Sequence, residues 1–379
     1  GQVLAPFIET VSGAANTVVT TYGLDQFSLS GYFGQATFGY KNLAFITGAI
    51  RADRSSKFST DQATQTYPKL SASFVPSDLD FWKNSINANI ISSLKLRTSW
   101  GQAGNLAGIG SYDRFWQFNA VPYVGRGTLV PSSQFANPNV KPERMTEFEF
   151  GSDIGFWANR VNLGLTIYNQ TISDLVVNRG LAPSEGATSI VNNVGQMENN
   201  GLEIALNVNP IKTSDFSWDF TFIYSRNRNK VTKLGTPTIP ISTNSGAPVY
   251  LIEGAPASVF YGTTLARDAS GGLLLTQQGF FQNEKGPQNV AVSPLEYSPG
   301  RDVNGQPNGS NIRSIIGNPN PDFTGSFANT VTYKNLSLNF LVDWVQGVSV
   351  FNADKRTRQG VGIGDFAEKE LKGELGRGY

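Results

Sequence analysis

The chain contains neither cysteine nor histidine. Without cysteine there is no disulfide, no thiolate nucleophile and no thiolate metal site. Without histidine, imidazole catalysis and the commonest metal ligand are gone as well. Charge is scarce: Asp, Glu, Lys and Arg make up 16% of the 379 residues, against roughly 25% in ordinary soluble domains. Bases and acids nearly cancel, 30 against 29, which removes the case for a nucleic-acid surface. No apolar run approaches the roughly 18 residues of a membrane-crossing helix. Gly1 opens directly into loop-like sequence without a signal peptide, so a mature form or an internal stretch of an exported protein is expected.

What is plentiful is glycine, asparagine and aromatic residues, a mix that suits many strands and turns. The stretch from Asn137 to Gln170 sets the pattern. Phe148, Phe150 and Ile154 alternate with Glu147, Glu149 and Asp153. After a short turn at Phe156–Arg160, Val161, Leu163, Leu165 and Ile167 alternate with Asn162, Gly164, Thr166 and Tyr168. Successive strand side chains point to opposite faces, so each arm has one apolar and one polar face. Arms of about ten residues are long enough to cross a bilayer as tilted strands.

The pattern recurs. Strands are expected at Phe27–Gly39, Leu43–Asp53, Tyr67–Val75, Leu94–Trp100, Leu202–Asn209, Trp218–Tyr224, Phe323–Tyr333 and Leu336–Val345, making ten in five hairpins. Asp78–Ser93 has room for a short amphipathic helix. Gly101–Pro142, Thr171–Gln196 and Lys230–Pro321 read as loops, the last the longest and most irregular. Short turns therefore alternate with long loops, the asymmetry of outer-membrane barrels, whose turns are periplasmic and whose loops lie outside. A soluble sandwich alternates in the same way. Strand length, loop parity and low charge favour the membrane barrel. On that reading Leu163, Leu165, Ile167, Ile204 and Phe220 face lipid, while Glu147, Glu149, Asp153, Asn162, Thr166, Glu203 and Asp219 face the lumen.

Four segments carry a resemblance. ISSLKLRTSWGQAGN (91–105), NPNVKPERMTEFEFGSDIGFWANRVNLGLTIYNQTISDLV (137–176), the stretch 194–230 and IIGNPNPDFTGSFANTVTYKN (315–335) occur in the order and spacing of SusC/RagA-type TonB-dependent outer-membrane transporters. The resemblance implies an all-β fold, an antiparallel transmembrane barrel of about 22 strands of which ten are here. Residues 1–379 are then a partial barrel domain with long extracellular loops near 101–142 and 230–321. It also implies a bacterial outer-membrane location and import of a bulky nutrient, an oligosaccharide or peptide. Its partners are outer-membrane lipid, a SusD-like surface lipoprotein as lid, and TonB acting through a plug. The plug, the TonB-binding segment and the closing strands have no counterpart in these residues, which suggests a part of a longer protein. A siderophore or cobalamin receptor and a soluble β-rich binding module or adhesin are the alternatives.

Other patterns carry less. Glu147 and Glu149 on one wet strand face read as polar lining rather than a glycosidase pair, and no enzymatic role or cofactor is expected. Asp302 and Asn304 begin a stretch resembling a calcium loop, but Gln306 stands where the next acid belongs and the closing acid is missing, so a plain loop is the expectation. The glycines at 360–364 lack the strand–helix setting of a nucleotide site. Tyr112, Trp116, Tyr123 and Phe135 concentrate with Phe115 and Phe118 in one loop and are the candidates for ligand contact, since aromatic rings stack on sugars and apolar groups.

Overall fold

The computed structural model describes residues 24–85, 90–124, 126–242, 247–264, 266–272, 299–301, 307–310, 313–364, 368–369 and 371–374. Its main element is a sheet of ten successive strands. They are β1 (Leu29–Tyr40), β2 (Ala44–Ser55), β3 (Thr64–Phe74), β4 (Ile91–Asn105), β5 (Glu143–Phe156), β6 (Val161–Gly180), β7 (Ser189–Lys212), β8 (Phe216–Lys233), β9 (Phe323–Tyr333) and β10 (Leu336–Gln346). Each pairs with the next, antiparallel from β1 through β9. A short strand, Gln134–Phe135, adds to the start of β7 in parallel.

All the short connections lie at one end of this sheet. Lys41 and Asn42 both take positive φ, 48° and 56°, in a tight turn closed by the Leu43 N–H donating to the Tyr40 carbonyl at 2.8 Å. Trp157, Ala158 and Asn159 do so in succession at the β5–β6 turn. The β3–β4 connection holds a 3-10 turn, Pro76–Asp78, and the expected short helix, α1 (Asp80–Lys83). Trp82 closes this end by donating its indole N–H to the Ile91 carbonyl at 3.1 Å.

The opposite end differs from expectation. Thr171–Gln196 is not a loop. β6 continues to Gly180 and β7 starts at Ser189, so the two pair far beyond the ten residues that cross a bilayer. Here the alternation fades because apolar side chains are buried on both faces, Val176 and Val191 on one and Val177 on the other, and a bulge between Asn193 and Gly195 breaks the period. Gly101–Pro142 holds the end of β4 and a small hairpin, Phe118–Tyr123 with Arg126–Pro131. Lys230–Pro321 is not irregular throughout: Thr238–Ser242, Val249–Ile252, Val259–Thr263 and Arg313–Gly317 form a four-stranded antiparallel sheet. Ile239, Leu251 and Val259 are buried within it.

By internal contacts the chain divides into two compact units, residues 1–236 with 323–345, and residues 237–322 with 346–379. The first holds the large sheet. Its buried core is not in the band of the sheet nearest the short turns but at the long-connection end. There Phe58, Ile109, Val140 and Val191 pack together with Leu106 and Val176. The NPNVKPE run is the clamp of this core. Asn137 donates to the Val191 carbonyl at 2.7 Å, and Asn193 donates to the carbonyls of Lys141 and Asp174 at 2.7 and 2.8 Å. Lys141 pairs with Asp174 at 2.9 Å. Glu143 accepts from the Val176 N–H at 2.9 Å.

Candidate functional site

Cross-strand register sorts the large sheet into two faces, because residues directly opposite one another share a face. One face presents Ile154, Leu163, Leu206, Phe222 and Phe327 in a single row across β5 to β9, with Ser152, Leu165, Ile204 and Tyr224 in the next. The other face is polar. Glu147 lies opposite Gln170, which lies opposite Asn199. One rung further, Glu149 lies opposite Tyr168 and Gly201. The next rung holds Gly151, Thr166 and Glu203, and the next Asp153, Gly164 and Ala205. Asn162 and Asn207 follow, and Asp219 reaches Asn209 on the same face. Glu147, Glu149, Asp153, Asn162, Thr166, Glu203 and Asp219 thus lie on one face of the sheet.

These side chains form a connected lattice. Gln170 donates to Glu147 at 2.7 Å, Asn199 donates to Gln170 at 3.0 Å, and Asn227 donates to Asn199 at 3.3 Å. The chain of amides thus spans β5 to β8. Beside it Arg97 of β4 reaches over to Glu149 and Thr166 and lies 3.7 Å from Asp153. Gly151 makes this reach possible: a Cβ there would stand 2.6 Å from the Arg97 guanidinium carbon. Gly201 serves Tyr168 likewise, since the ring occupies the space its Cβ would take. The arrangement encloses a recess of about 470 Å³ lined by Arg97, Glu147, Glu149, Tyr168, Gln170, Asn199 and Glu203 among others. Three carboxylates face one guanidinium there, so the recess carries an excess of negative charge. Its donors and acceptors suit a neutral or cationic polar guest rich in hydroxyl or amide groups.

Sequence reading singled out the three glutamates and Thr166 as site candidates, but not Arg97, Gln170, Asn199 or Asn227, and it placed Tyr168 only on the polar side of its strand. The signal was present, since all five fall on the polar beat of their strands. The aromatic candidates are only partly assembled. Trp116 lies 5.4 Å from Phe135 and 6.5 Å from Phe118, ring to ring. Tyr112 is engaged elsewhere, its hydroxyl accepting from the Gln26 N–H at 3.1 Å. Tyr123 stands 71% exposed at the tip of the small hairpin, paired with Arg126 and remote from the Trp116 cluster in extended chain. Asp302 and Asn304 lie outside the described residues, and among those described no cluster of three or more carboxylates offers a metal site.

A family model for the β-barrel of TonB-dependent receptor-like proteins matches residues 5–354. The chain belongs to this family. Curated relatives include TonB-dependent receptor P3 of Formosa agariphila, 29% identical over 358 residues, which are 90% of this chain and 34% of that one. TonB-dependent receptor SusC of Bacteroides thetaiotaomicron is 26% identical over 324 residues, 83% of this chain and 30% of that one. Among solved structures, the RagAB peptide transporter superposes with a TM-score of 0.70 at 23% identity, covering 87% of this chain and 34% of that one. The chain thus spans about a third of the length of the curated relatives it matches. Its ten-strand sheet is part of a SusC/RagA-type barrel wall, and barrels of this family reside in the bacterial outer membrane.

Proposed function

We propose that this chain lines the path of an outer-membrane importer for a bulky polar nutrient, an oligosaccharide or a peptide. The observation that carries the reading is the lattice from Glu147 through Gln170 and Asn199 to Asn227. It presents amides and carboxylates along one face while the other face is apolar. A barrel wall has such an interior and such an exterior. Glu147, Glu149, Asp153, Asn162, Thr166, Glu203 and Asp219 then face the lumen. Residues 1–379 belong to one barrel domain whose long connections lie outside the cell. Trp116 and Phe135 are the aromatic pair available to a guest on that side. Similarity to SusC and to the RagAB peptide transporter supports a TonB-energised cycle with a SusD-like lipoprotein as lid. The test compares cells with and without the full-length gene on a mixed pool of oligosaccharides and peptides, following each by mass spectrometry of the medium. Selective loss of uptake of one size class supports the reading, and restoration must need TonB. Identical depletion of every solute by both strains would sink it.

A further inference from the structure

Among the described residues, the buried side-chain polar atoms without a hydrogen-bond partner are the Ser111 hydroxyl and the Nε atoms of Arg114 and Arg179. All three belong to the long-connection end of the molecule. A buried donor left unpaired is costly, so each such atom needs a physical account. Arg179 stands on the extended part of β6. Across from it on β7 is Ile190, and Ile190 in turn lies opposite Phe135 of the short parallel strand. Residues directly opposite share a face, so Phe135, Ile190 and Arg179 form one row. Two strand spacings put the Cα atoms of Phe135 and Arg179 about 10 Å apart. Trp116 lies 5.4 Å from Phe135, ring to ring, and Phe118 stacks on Trp116 with 29° between the ring planes. Both Trp116 and Phe118 are exposed. The row thus ends in an open aromatic surface on one side and a guanidinium on the other.

The acids of this end are bound to other groups or leave Arg179 alone. Asp113 accepts from the Gln134 amide at 2.9 Å, which fixes the segment bearing Trp116 against Phe135. Asp174 pairs with Lys141 at 2.9 Å, and Glu143 accepts from the Val176 N–H and from Asn105. Glu185, the one carboxylate of the β6–β7 connection, makes no ion pair with Arg179. Among the described residues no hydrogen bond or ion pair engages the Arg179 guanidinium. Arg114, two residues before Trp116, has only the Phe115 ring beside it, 4.1 Å from its guanidinium carbon.

We propose that Arg179, with Trp116 and Phe135 beside it, binds an acidic sugar residue of an oligosaccharide, one that carries a carboxylate or a sulfate. The proposal rests on the importer reading above and narrows its substrate class. The sugar ring lies on the aromatic surface, and its anionic group takes the two parallel hydrogen bonds that a guanidinium offers. Solvent screens a half-buried pair less than an exposed one, which strengthens the contact. Two exposed stacked rings make a broad flat surface, and that suits the apolar face of a pyranose better than the tip of a peptide side chain. The lattice around Glu147 and Glu203 carries an excess of negative charge, so it receives the neutral residues of the same oligosaccharide rather than the acidic one. Arg114 adds a second cation to the segment that carries Trp116.

The experiment uses the natural full-length protein in mild detergent, with binding read by titration calorimetry. Uronate-containing tetrasaccharides are each compared with their carboxyl-reduced forms, and sulfated tetrasaccharides with their desulfated forms. An acidic tetrapeptide is the other source of a carboxylate. At least one acidic saccharide should bind roughly tenfold or more tightly than its neutral form. The pair that shows the difference identifies the anion. R179Q should erase the difference and leave the affinity for the neutral form unchanged. R179K, which keeps the charge but not the planar fork, should retain part of it. W116A should weaken acidic and neutral forms alike. R126Q, which removes a cation at the tip of the small hairpin, should match wild type. Equal affinity for every acidic saccharide and its neutral form overturns the proposal, as does no binding of any of them or an undiminished preference in R179Q. Tighter binding of the tetrapeptide than of any saccharide overturns it in favour of a peptide site. If R179Q does not assemble, the wild-type pairs and R179K decide. Recovery of the wild type outside the outer-membrane fraction would instead refute the importer reading itself.

Discussion

The wall and the segments beyond it solve the burial problem in opposite ways. In the wall the large apolar residues stay open to their surroundings: Phe38 is 75% exposed and Leu338 62%. Beyond it, Val140 is fully buried among Phe58, Ile109 and Val191. The wall's apolar face finds its partner in lipid chains, so it needs no core of its own. The segments beyond it lie in water and must enclose theirs. The polar groups follow the same division. In the wall they face one another across strands, as Gln170 and Asn199 do. Outside, side-chain amides such as Asn137 and Asn193 satisfy loop backbone that has no ladder to join.

The strongest way to break this comparison is a charge on the apolar face. Leu165→Arg places a cation on the lipid side of β6 and should cost about 2–4 kcal/mol of assembly. Ala205→Arg, on the polar face beside Gly164, should assemble normally. Ala205 is the better control than Thr166, which already receives a hydrogen bond from Arg97. The amount of heat-modifiable barrel in the outer membrane checks both, and equal yields would refute the assignment of faces. Next in size is the clamp. Asn193→Ala leaves the carbonyls of Lys141 and Asp174 without their donor and should cost about 1–3 kcal/mol. Residues 106–142 should then become protease-sensitive on intact cells while the barrel stays folded. If barrel and loop are lost together, the two regions do not behave as separate solutions.

A smaller effect is expected at the β5–β6 turn. Ala158 holds φ at 54°, a conformation that costs a non-glycine residue roughly 1 kcal/mol. Ala158→Gly should raise thermal stability slightly without changing the register. A lowered melting temperature would show that the alanine side chain contributes packing there. The smallest effect is one of pH and belongs to the water-exposed segments alone. Asp268 accepts hydrogen bonds from the Ser270 hydroxyl at 2.6 Å and the Gly272 N–H at 2.8 Å. The Ser270 hydroxyl first, then the Gly272 and Ser270 N–H groups, hold its carboxyl below the usual carboxylate range. A depressed folded-state value means the turn is fully supported above the ordinary aspartate value. That support is lost as pH falls through the folded value. Ser270→Ala should move the Asp268 titration upward, as read by carboxyl NMR. An unmoved titration would assign the depression to the backbone donors alone.

Much of the wall was legible in advance, for a reason visible in β6. Val161, Leu163, Leu165 and Ile167 meet one solvent and Asn162, Gly164, Thr166 and Tyr168 another, so composition records the period of two. Past Gln170 the chain continues as strand, but apolar residues are buried on both faces, Val176 on one and Val177 on the other. Thr171 and Ser173 therefore carry no alternation, and the extension of β6 and β7 is invisible in the chain. The sheet within 237–322 was hidden differently, because its strands of four or five residues are too short to show a period and the first of them, Thr238–Ser242, contains Pro240. Alternation along each strand thus determined by itself which residues share a face, where the short turns fall, and that two environments line the sheet. Which amide meets which carboxylate was decided only by the tertiary structure. Gln170 reaches Glu147, and Arg97 crosses Gly151 to Glu149. Those contacts depend on the register between strands, and register is set by pairing across the sheet rather than by any one strand.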